Sequence, residues 1–216
     1  MLKFSFHVAP RDIFSFILLI LVFPLARILP VEWGWENGVI ENAQVILLSI
    51  AFLSCLDLGY YYYGSKAYAI GSLFLLMIAR ELSWGRVFFP TGKVTANGPE
   101  FISMSHIPNH VLINIMIGLA ILAVAVFLYK KILWKRFFKI PVLVVTLVIM
   151  SIALCGQFVF ENNYFNLMPH NRNQIAEEIF ELIIYFELFG MLQHYYAFQY
   201  LSIKEGLDLK HVDSRF

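Results

Sequence analysis

Two stretches of this sequence, 111–129 and 140–160, contain no charged residue at all. A helix needs about 20 mainly apolar residues to cross the hydrocarbon core of a bilayer, and each stretch has that length. A soluble fold would have to bury both stretches completely, whereas a bilayer solvates them directly. The two stretches therefore predict transmembrane helices.

Four further apolar runs, at about 13–31, 38–60, 67–84 and 175–201, have similar lengths but contain ionisable residues. The chain is 60% hydrophobic and only 14% charged, which leaves too little polar surface for a soluble globule. No linker or repeat divides the sequence. We therefore predict an all-α, polytopic bundle of about six spans that forms one membrane-embedded domain over 1–216.

Basic residues predict the orientation of this bundle. The link between the fourth and fifth spans, 130–139, holds five Lys or Arg residues, and such clusters favour the cytoplasmic side. Both termini then lie in the cytoplasm, with 202–216 as a short tail. The loops 32–37, 85–110 and 161–174 face outward, and the longest of them suggests a lid or a partly buried re-entrant segment.

The same features indicate the surroundings of the chain. Its compact size and short loops favour a bacterial inner (plasma) membrane, so the lipid bilayer is the predicted partner. A homo-oligomer or another membrane protein is a further possible partner. The net charge of +1 gives no field that would attract nucleic acid. Motifs of the G-x-S-x-G and G-x-x-x-x-G-K types are absent, which disfavours a serine hydrolase and ATP-driven transport.

Polar residues interrupt three of the apolar runs, always near the ends that this topology places outside. Charge at such depth is rare unless it is paired, hydrated or functional. We therefore predict an outward-facing polar pocket that binds or passes a cation, a proton or a small polar solute. The residues predicted to line it are Glu41, Gln44, Arg80, Glu81, Glu178 and Glu181, and Glu177 lies beside them.

Two features of these residues leave alternatives open. Arg80 and Glu81 differ by about 100° around a helix, so each needs a partner elsewhere. Arg80 is expected to meet Glu41 or Glu181, and Glu81 to meet a ligand, a metal or Arg172. Such charges can also serve only to pair helices, and acids near a helix start are favoured by the helix dipole. A structural or sensing subunit therefore remains an alternative function.

Two other sets of residues suggest proton or metal chemistry. Glu187 and His194 share a helix face deeper in the last span, which predicts a deeper proton or cation relay. His106 and His110, with His170, are candidate ligands of a divalent metal, although Pro108 interrupts the helical spacing of the first two. A metal held by Glu and His would support a second alternative, a metal-dependent intramembrane lipid hydrolase.

The string Arg80–Arg86 reads Arg-Glu-Leu-Ser-Trp-Gly-Arg, and Glu36–Glu41 precedes the second span. Together these segments resemble a group of uncharacterised bacterial multipass membrane proteins with an E-[IL]-S-W-G helix end. Those proteins usually have a second acid at the position of Arg80 and Gln at that of Arg86. The resemblance covers about a fifth of the chain. It implies a recurring corner at positions 81 and 83–85, and it implies no activity.

Overall fold

The computed structural model describes residues 4–95, 98–131, 142–164 and 168–204. The fold is all-α and about 80% helical. Each of the six apolar runs corresponds to one long helix within the described residues. These helices are α1 (Pro10–Ile28), α2 (Val39–Leu58), α3 (Ser65–Glu81), α4 (His110–Lys131), α5 (Val144–Glu161) and α6 (His170–Lys204).

Within the described residues, three segments are long and apolar enough to cross a membrane, namely Val39–Tyr61, His110–Lys131 and Val144–Glu161. The first continues α2 through a π-helical turn. By contrast, α3 has only 17 residues, and α1 and α6 each carry several charged residues. Most of the basic link 130–139, the first residues of the fifth run and the tail beyond residue 204 lie outside the described residues.

Helix α6 is the centre of the bundle, because it packs against α1, α2 and α5. Ile175 and Ile183 of α6 are fully buried, and they belong to the same apolar core as Leu48 of α2. Gly156 of α5 allows close approach, since a Cβ at this position would lie 2.5 Å from the ring of Phe180 on α6. This close packing fixes the rotation of α6 about its own axis.

Helix α4 differs from the others. None of its residues is buried, and its largest packing partner is α3. Its sequence is nevertheless the most apolar of the three candidate spans, with a mean hydropathy of 2.9. An apolar helix with an exposed surface is the pattern expected where lipid, not protein, covers the side chains.

Short strands connect the ends of the helices. Strand β1 (Phe4–Ser5) pairs in parallel with β4 (Val142–Leu143), so α1 and α5 begin at the same end of the bundle. Strands β2 (Pro90–Thr95) and β3 (Gly98–Phe101) form an antiparallel pair in the loop after α3. All residues of β2 are exposed, whereas β3 is partly buried. The lid or partly buried re-entrant segment expected for the loop 85–110 stays a prediction.

Candidate metal centre

The three polar stretches noted in the sequence meet at one end of the bundle. The start of α2, the end of α3 and the first turns of α6 surround a cavity of about 290 Å³. Six glutamates and one arginine are among the residues that line this acidic cavity. They are Glu36, Glu41, Glu81, Glu177, Glu178, Glu181 and Arg80. Carboxylates therefore outnumber the positive groups of the lining.

Three of these carboxylates converge. Glu81, Glu178 and Glu181 each offer one oxygen, and the three oxygens lie within 4.8 Å of one another. Oxygen ligands bind Mg²⁺ or Ca²⁺ at roughly 2.0–2.6 Å, so oxygens around one ion lie within about 5 Å of each other. Glu81 and Glu181 are buried, and Glu178 is half-buried. The three side chains thus have the spacing of a carboxylate metal site.

A neutral donor from another helix holds each of the three carboxylates. The Tyr185 hydroxyl donates to Glu81 Oε1 at 2.5 Å. The Gln44 amide donates to Glu178 Oε2 at 2.8 Å, and also to the Glu178 carbonyl oxygen at 2.9 Å. The Gln157 amide donates to Glu181 Oε1. Such outer donors orient ligating carboxylates in metal sites.

Arg80 is the positive group of this cavity. Its Nη2 donates to Glu181 Oε1 at 2.5 Å, so one of the two partners expected from the sequence is present. Its Nη1 donates to the Tyr185 hydroxyl at 3.2 Å. The neighbouring Glu81 also lies within ion-pair distance, with 3.8 Å between Nε and Oε1, although helical spacing did not favour that pair.

Glu41 has two roles in the structure. It accepts a hydrogen bond from the backbone N–H of Asn37 at the start of α2, which is the helix-end role of an acid near an N-terminus. It is also buried and lines the acidic cavity. Glu41 therefore both stabilises the start of α2 and lines the acidic cavity, so these two interpretations of its position are compatible.

The segment that follows Glu81 has an unusual backbone. Ser83, Trp84 and Gly85 have φ values of 45°, 54° and 89°, which fall in the left-handed region. This region costs a non-glycine residue about 1–3 kcal/mol and persists only where the surroundings enforce it. Here the Ser83 hydroxyl donates to Glu36, and the Arg86 guanidinium lies 3.6 Å from the same carboxylate. The corner ends α3 directly beside the acidic cavity.

The three histidines proposed as metal ligands are not part of this centre. His106 ends a short 3₁₀ helix, His110 begins α4, and His170 begins α6. Within the part of the chain that the structure describes, no histidine belongs to a group of three converging metal ligands.

Arg172 does not pair with Glu81, contrary to one of the expectations from the sequence. Its Nη1 donates to the carbonyl oxygens of Leu29 at 2.5 Å and Ala26 at 3.2 Å. These oxygens lie at the C-terminal end of α1, where helical carbonyls lack an intrahelical donor. Arg172 therefore joins α6 to the end of α1.

The predicted deeper pair belongs to a second polar cluster. Glu187 is fully buried, and its Oε2 lies 3.7 Å from Nε of Arg11 on α1. His194 lines a separate cavity of about 240 Å³ together with Arg11 and His7. The structure thus associates Glu187 and His194 with the start of α1.

Sequence reasoning missed Gln157, which holds Glu181, and Asp12, which belongs to the second cluster. A polar side chain inside the charge-free fifth run was the available signal for Gln157. Asp12 resembled an ordinary acid at a helix start. Tyr185 could be read from the sequence, but one tyrosine among several gave no reason to select it.

Comparisons with family models, with curated proteins and with solved structures found no match to this chain.

Proposed function

We propose that this chain is a multipass membrane protein whose acidic cavity binds a divalent cation through Glu81, Glu178 and Glu181. The observation that supports the proposal is the convergence of three carboxylate oxygens within 4.8 Å. If all lining residues are ionised, six negative charges face one positive charge. A bound cation relieves this repulsion, which otherwise favours protonation of some of the carboxylates.

The ligand set favours a hard cation. All three ligands are carboxylate oxygens, which suit Mg²⁺, Mn²⁺ and Ca²⁺ better than metals that prefer sulfur or imidazole. The donors from Gln44, Gln157 and Tyr185 hold the carboxylates without adding positive charge. A bound cation would share Glu181 with Arg80, which already donates to one of its oxygens.

In this proposal all six helices cross the membrane and the acidic cavity opens outward. Two observations support the topology. The pairing of β1 with β4 places the starts of α1 and α5 at one end, as six alternating spans require in either orientation. The exposed apolar surface of α4 is suited to contact with lipid. A bacterial inner membrane is the proposed location.

A metal-dependent hydrolase that acts on lipid is the second candidate. Hard cations take six or more ligands, so three carboxylates leave coordination positions for water and substrate. Open positions are what metal catalysis requires. Under this candidate, Mn²⁺-loaded protein hydrolyses phospholipid in mixed micelles, and Glu81→Gln abolishes the hydrolysis.

Binding of Mn²⁺ to the detergent-purified protein, followed by electron paramagnetic resonance, tests the main proposal. The wild type is compared with Glu81→Gln, Glu178→Gln and Glu181→Gln, each of which removes one charged ligand. Glu32→Gln and Glu100→Gln are matched controls, because both glutamates are exposed and outside the ligand set. Elemental analysis of the same preparations identifies any metal retained through purification.

The proposal expects one Mn²⁺ per chain. Each ligand substitution weakens binding by at least about tenfold, since loss of an outer-shell partner alone costs 10–100-fold at metal sites. The two controls bind like the wild type. Equal binding by all six proteins, or no binding by any of them, would contradict a cation site. The charges would then be assigned to helix pairing in a structural or sensing subunit.

A further inference from the structure

A second cluster of buried polar residues lies where α1, α5 and α6 meet. Glu187 is fully buried, and Ser15 and Asp12 are 1% and 2% exposed. Arg11 lies between the two acids, with its Nε 3.6 Å from Asp12 Oδ1 and 3.7 Å from Glu187 Oε2. Two carboxylates therefore share one guanidinium in a buried environment.

The two carboxylates differ in their hydrogen bonds. Both carboxylate oxygens of Asp12 accept hydrogen bonds. The Ala9 backbone N–H donates to Oδ2 at 2.7 Å, and the Thr146 hydroxyl donates to Oδ1 at 2.9 Å. Among the described residues, neither oxygen of Glu187 accepts a hydrogen bond of normal geometry, and Ser15 and Asp12 are its polar neighbours. The guanidinium of Arg11 directs Nη1 to the Gly190 carbonyl oxygen, at 2.6 Å, and not to Glu187.

The charges of this cluster do not balance if Glu187 is ionised. Asp12 and Arg11 neutralise each other, so an ionised Glu187 would leave one negative charge in a site that water does not reach. A buried charge that lacks hydrogen bonds is expensive, and a group in this position takes up a proton instead. The Ser15 hydroxyl lies beside the Glu187 carboxyl.

We propose that Glu187 is a proton-binding site, in which the carboxyl group is protonated when the cluster is closed and exchanges its proton through the cavity beside Arg11. This site is separate from the acidic cavity and does not depend on cation binding there. The protonated carboxyl group supplies a hydrogen-bond donor that the Ser15 hydroxyl can accept after a small adjustment. One proton then restores the charge balance and adds a hydrogen bond between Glu187 and Ser15.

The cavity of about 240 Å³ provides the route for exchange. Arg11, Asp12, His7 and His194 line it, and Arg11 and Asp12 also lie against Glu187. These four residues are the charged or titratable groups that face Glu187 or its cavity within the described residues; α5 contributes the uncharged Thr146.

Infrared spectroscopy of the full-length, detergent-purified protein tests this proposal, because the carbonyl stretch of a protonated carboxyl group is distinct from that of a carboxylate. The wild-type spectrum at pH 7 is subtracted from that of Glu187→Gln and, separately, from that of Asp12→Asn. We expect Glu187→Gln to remove one protonated-carboxyl band that shifts in D₂O. Asp12→Asn leaves Arg11 without its anionic partner, so Glu187 is expected to ionise in its place and this variant is expected to lose the band as well.

Thermal stability gives a second readout on the same variants. Glutamine has the shape of a protonated glutamic acid, so Glu187→Gln is expected to melt within about 2 °C of the wild type at pH 7. Asp12→Asn removes the anion that pairs with Arg11 and is expected to melt lower. A Glu187→Gln variant without a missing band, or one that melts as low as Asp12→Asn or fails to fold, would show that Glu187 is an ionised partner of Arg11 and overturn the proposal.

Discussion

The guanidinium of Arg80 donates a hydrogen bond of 2.5 Å to a carboxylate oxygen of Glu181, and this pair joins the end of α3 to α6. Glu181 is buried among acidic neighbours, whereas the Arg80 side chain is 54% exposed. The arginine therefore reaches from the surface into the acidic cavity and offsets part of its negative charge. Removing either partner should affect both the packing of the helices and the affinity for cations.

Replacement of Arg80 by glutamine is expected to lower the free energy of unfolding by about 1–3 kcal/mol. Removing one partner of a fully buried pair costs about 3–5 kcal/mol, and solvent around the half-exposed arginine reduces that figure. The measurement is thermal unfolding in detergent, with and without Mn²⁺. Added Mn²⁺ should stabilise Arg80→Gln more than the wild type, because the cation replaces the lost positive charge.

Arg86→Gln is the matched control for this substitution. Arg86 pairs with Glu36 at 3.6 Å, and both side chains are about one-third exposed. Exposed pairs of this kind contribute about 0–1 kcal/mol. If the two arginine variants lost the same stability, the pair between Arg80 and Glu181 would have no special role in holding α3 to α6.

The affinity of the acidic cavity for Mn²⁺ is expected to rise with pH. Carboxylate ligands must be deprotonated to bind a metal, so binding releases protons and a lower pH competes with the cation. Calorimetry at a single pH in buffers of different ionisation enthalpy counts the protons released. Proton uptake on binding, or an affinity that does not change between pH 5 and pH 8, would argue against carboxylate ligands.

The fold followed from the sequence where composition alone decides it. Apolar runs located all six helices, since a stretch such as 111–129 has no alternative to burial in lipid or protein. The hairpin of β2 and β3 was not located, because the residues of β2 are exposed and show no alternation of apolar and polar side chains. The left-handed conformation of Trp84 could not be predicted either, since contacts distant in sequence enforce it.

The candidate site was predictable only in part, for a related reason. Charged residues in apolar runs are conspicuous, so Arg80, Glu81 and Glu181 could be selected without a structure. The residues on other helices that hydrogen-bond to them depend on how each helix is rotated about its axis. That rotation follows from packing contacts such as Gly156 against Phe180. The partners of Gln157 and Tyr185 could therefore be assigned only once the helices were placed.

Gly34→Ala is expected to damage the site through the backbone. A Cβ at Gly34 would lie 2.8 Å from the backbone nitrogen of Ile175 and 2.9 Å from its Cα, and backbone atoms cannot move aside as a side chain can. Overpacking of this kind typically costs about 1–3 kcal/mol. The displaced start of α6 should also weaken Mn²⁺ binding, since Glu178 follows within one turn.

Gly118→Ala in α4 is the control, because nothing lies within 4 Å of the added Cβ. Alanine is favoured over glycine inside a helix by about 1 kcal/mol, so this variant is expected to be as stable as the wild type or slightly more stable. Both variants are compared by thermal unfolding and by Mn²⁺ titration. Unchanged Mn²⁺ affinity in Gly34→Ala would show that the start of α6 does not position the ligands.

Tyr185→Phe separates the role of one hydrogen bond from the shape of the cavity. The phenol oxygen donates to Glu81 at 2.5 Å and accepts from Arg80 at 3.2 Å, and phenylalanine keeps the ring while removing both bonds. We expect a loss of about 1–2 kcal/mol in stability, the range for a buried hydrogen bond, and Mn²⁺ binding about tenfold weaker because Glu81 is no longer oriented. Tyr164→Phe is the control, since this exposed ring packs on Phe158 at 5.6 Å, a contact that phenylalanine preserves. Equal Mn²⁺ affinity in the two variants would mean that Tyr185 contributes to packing alone, and that Glu81 is positioned by its place at the end of α3.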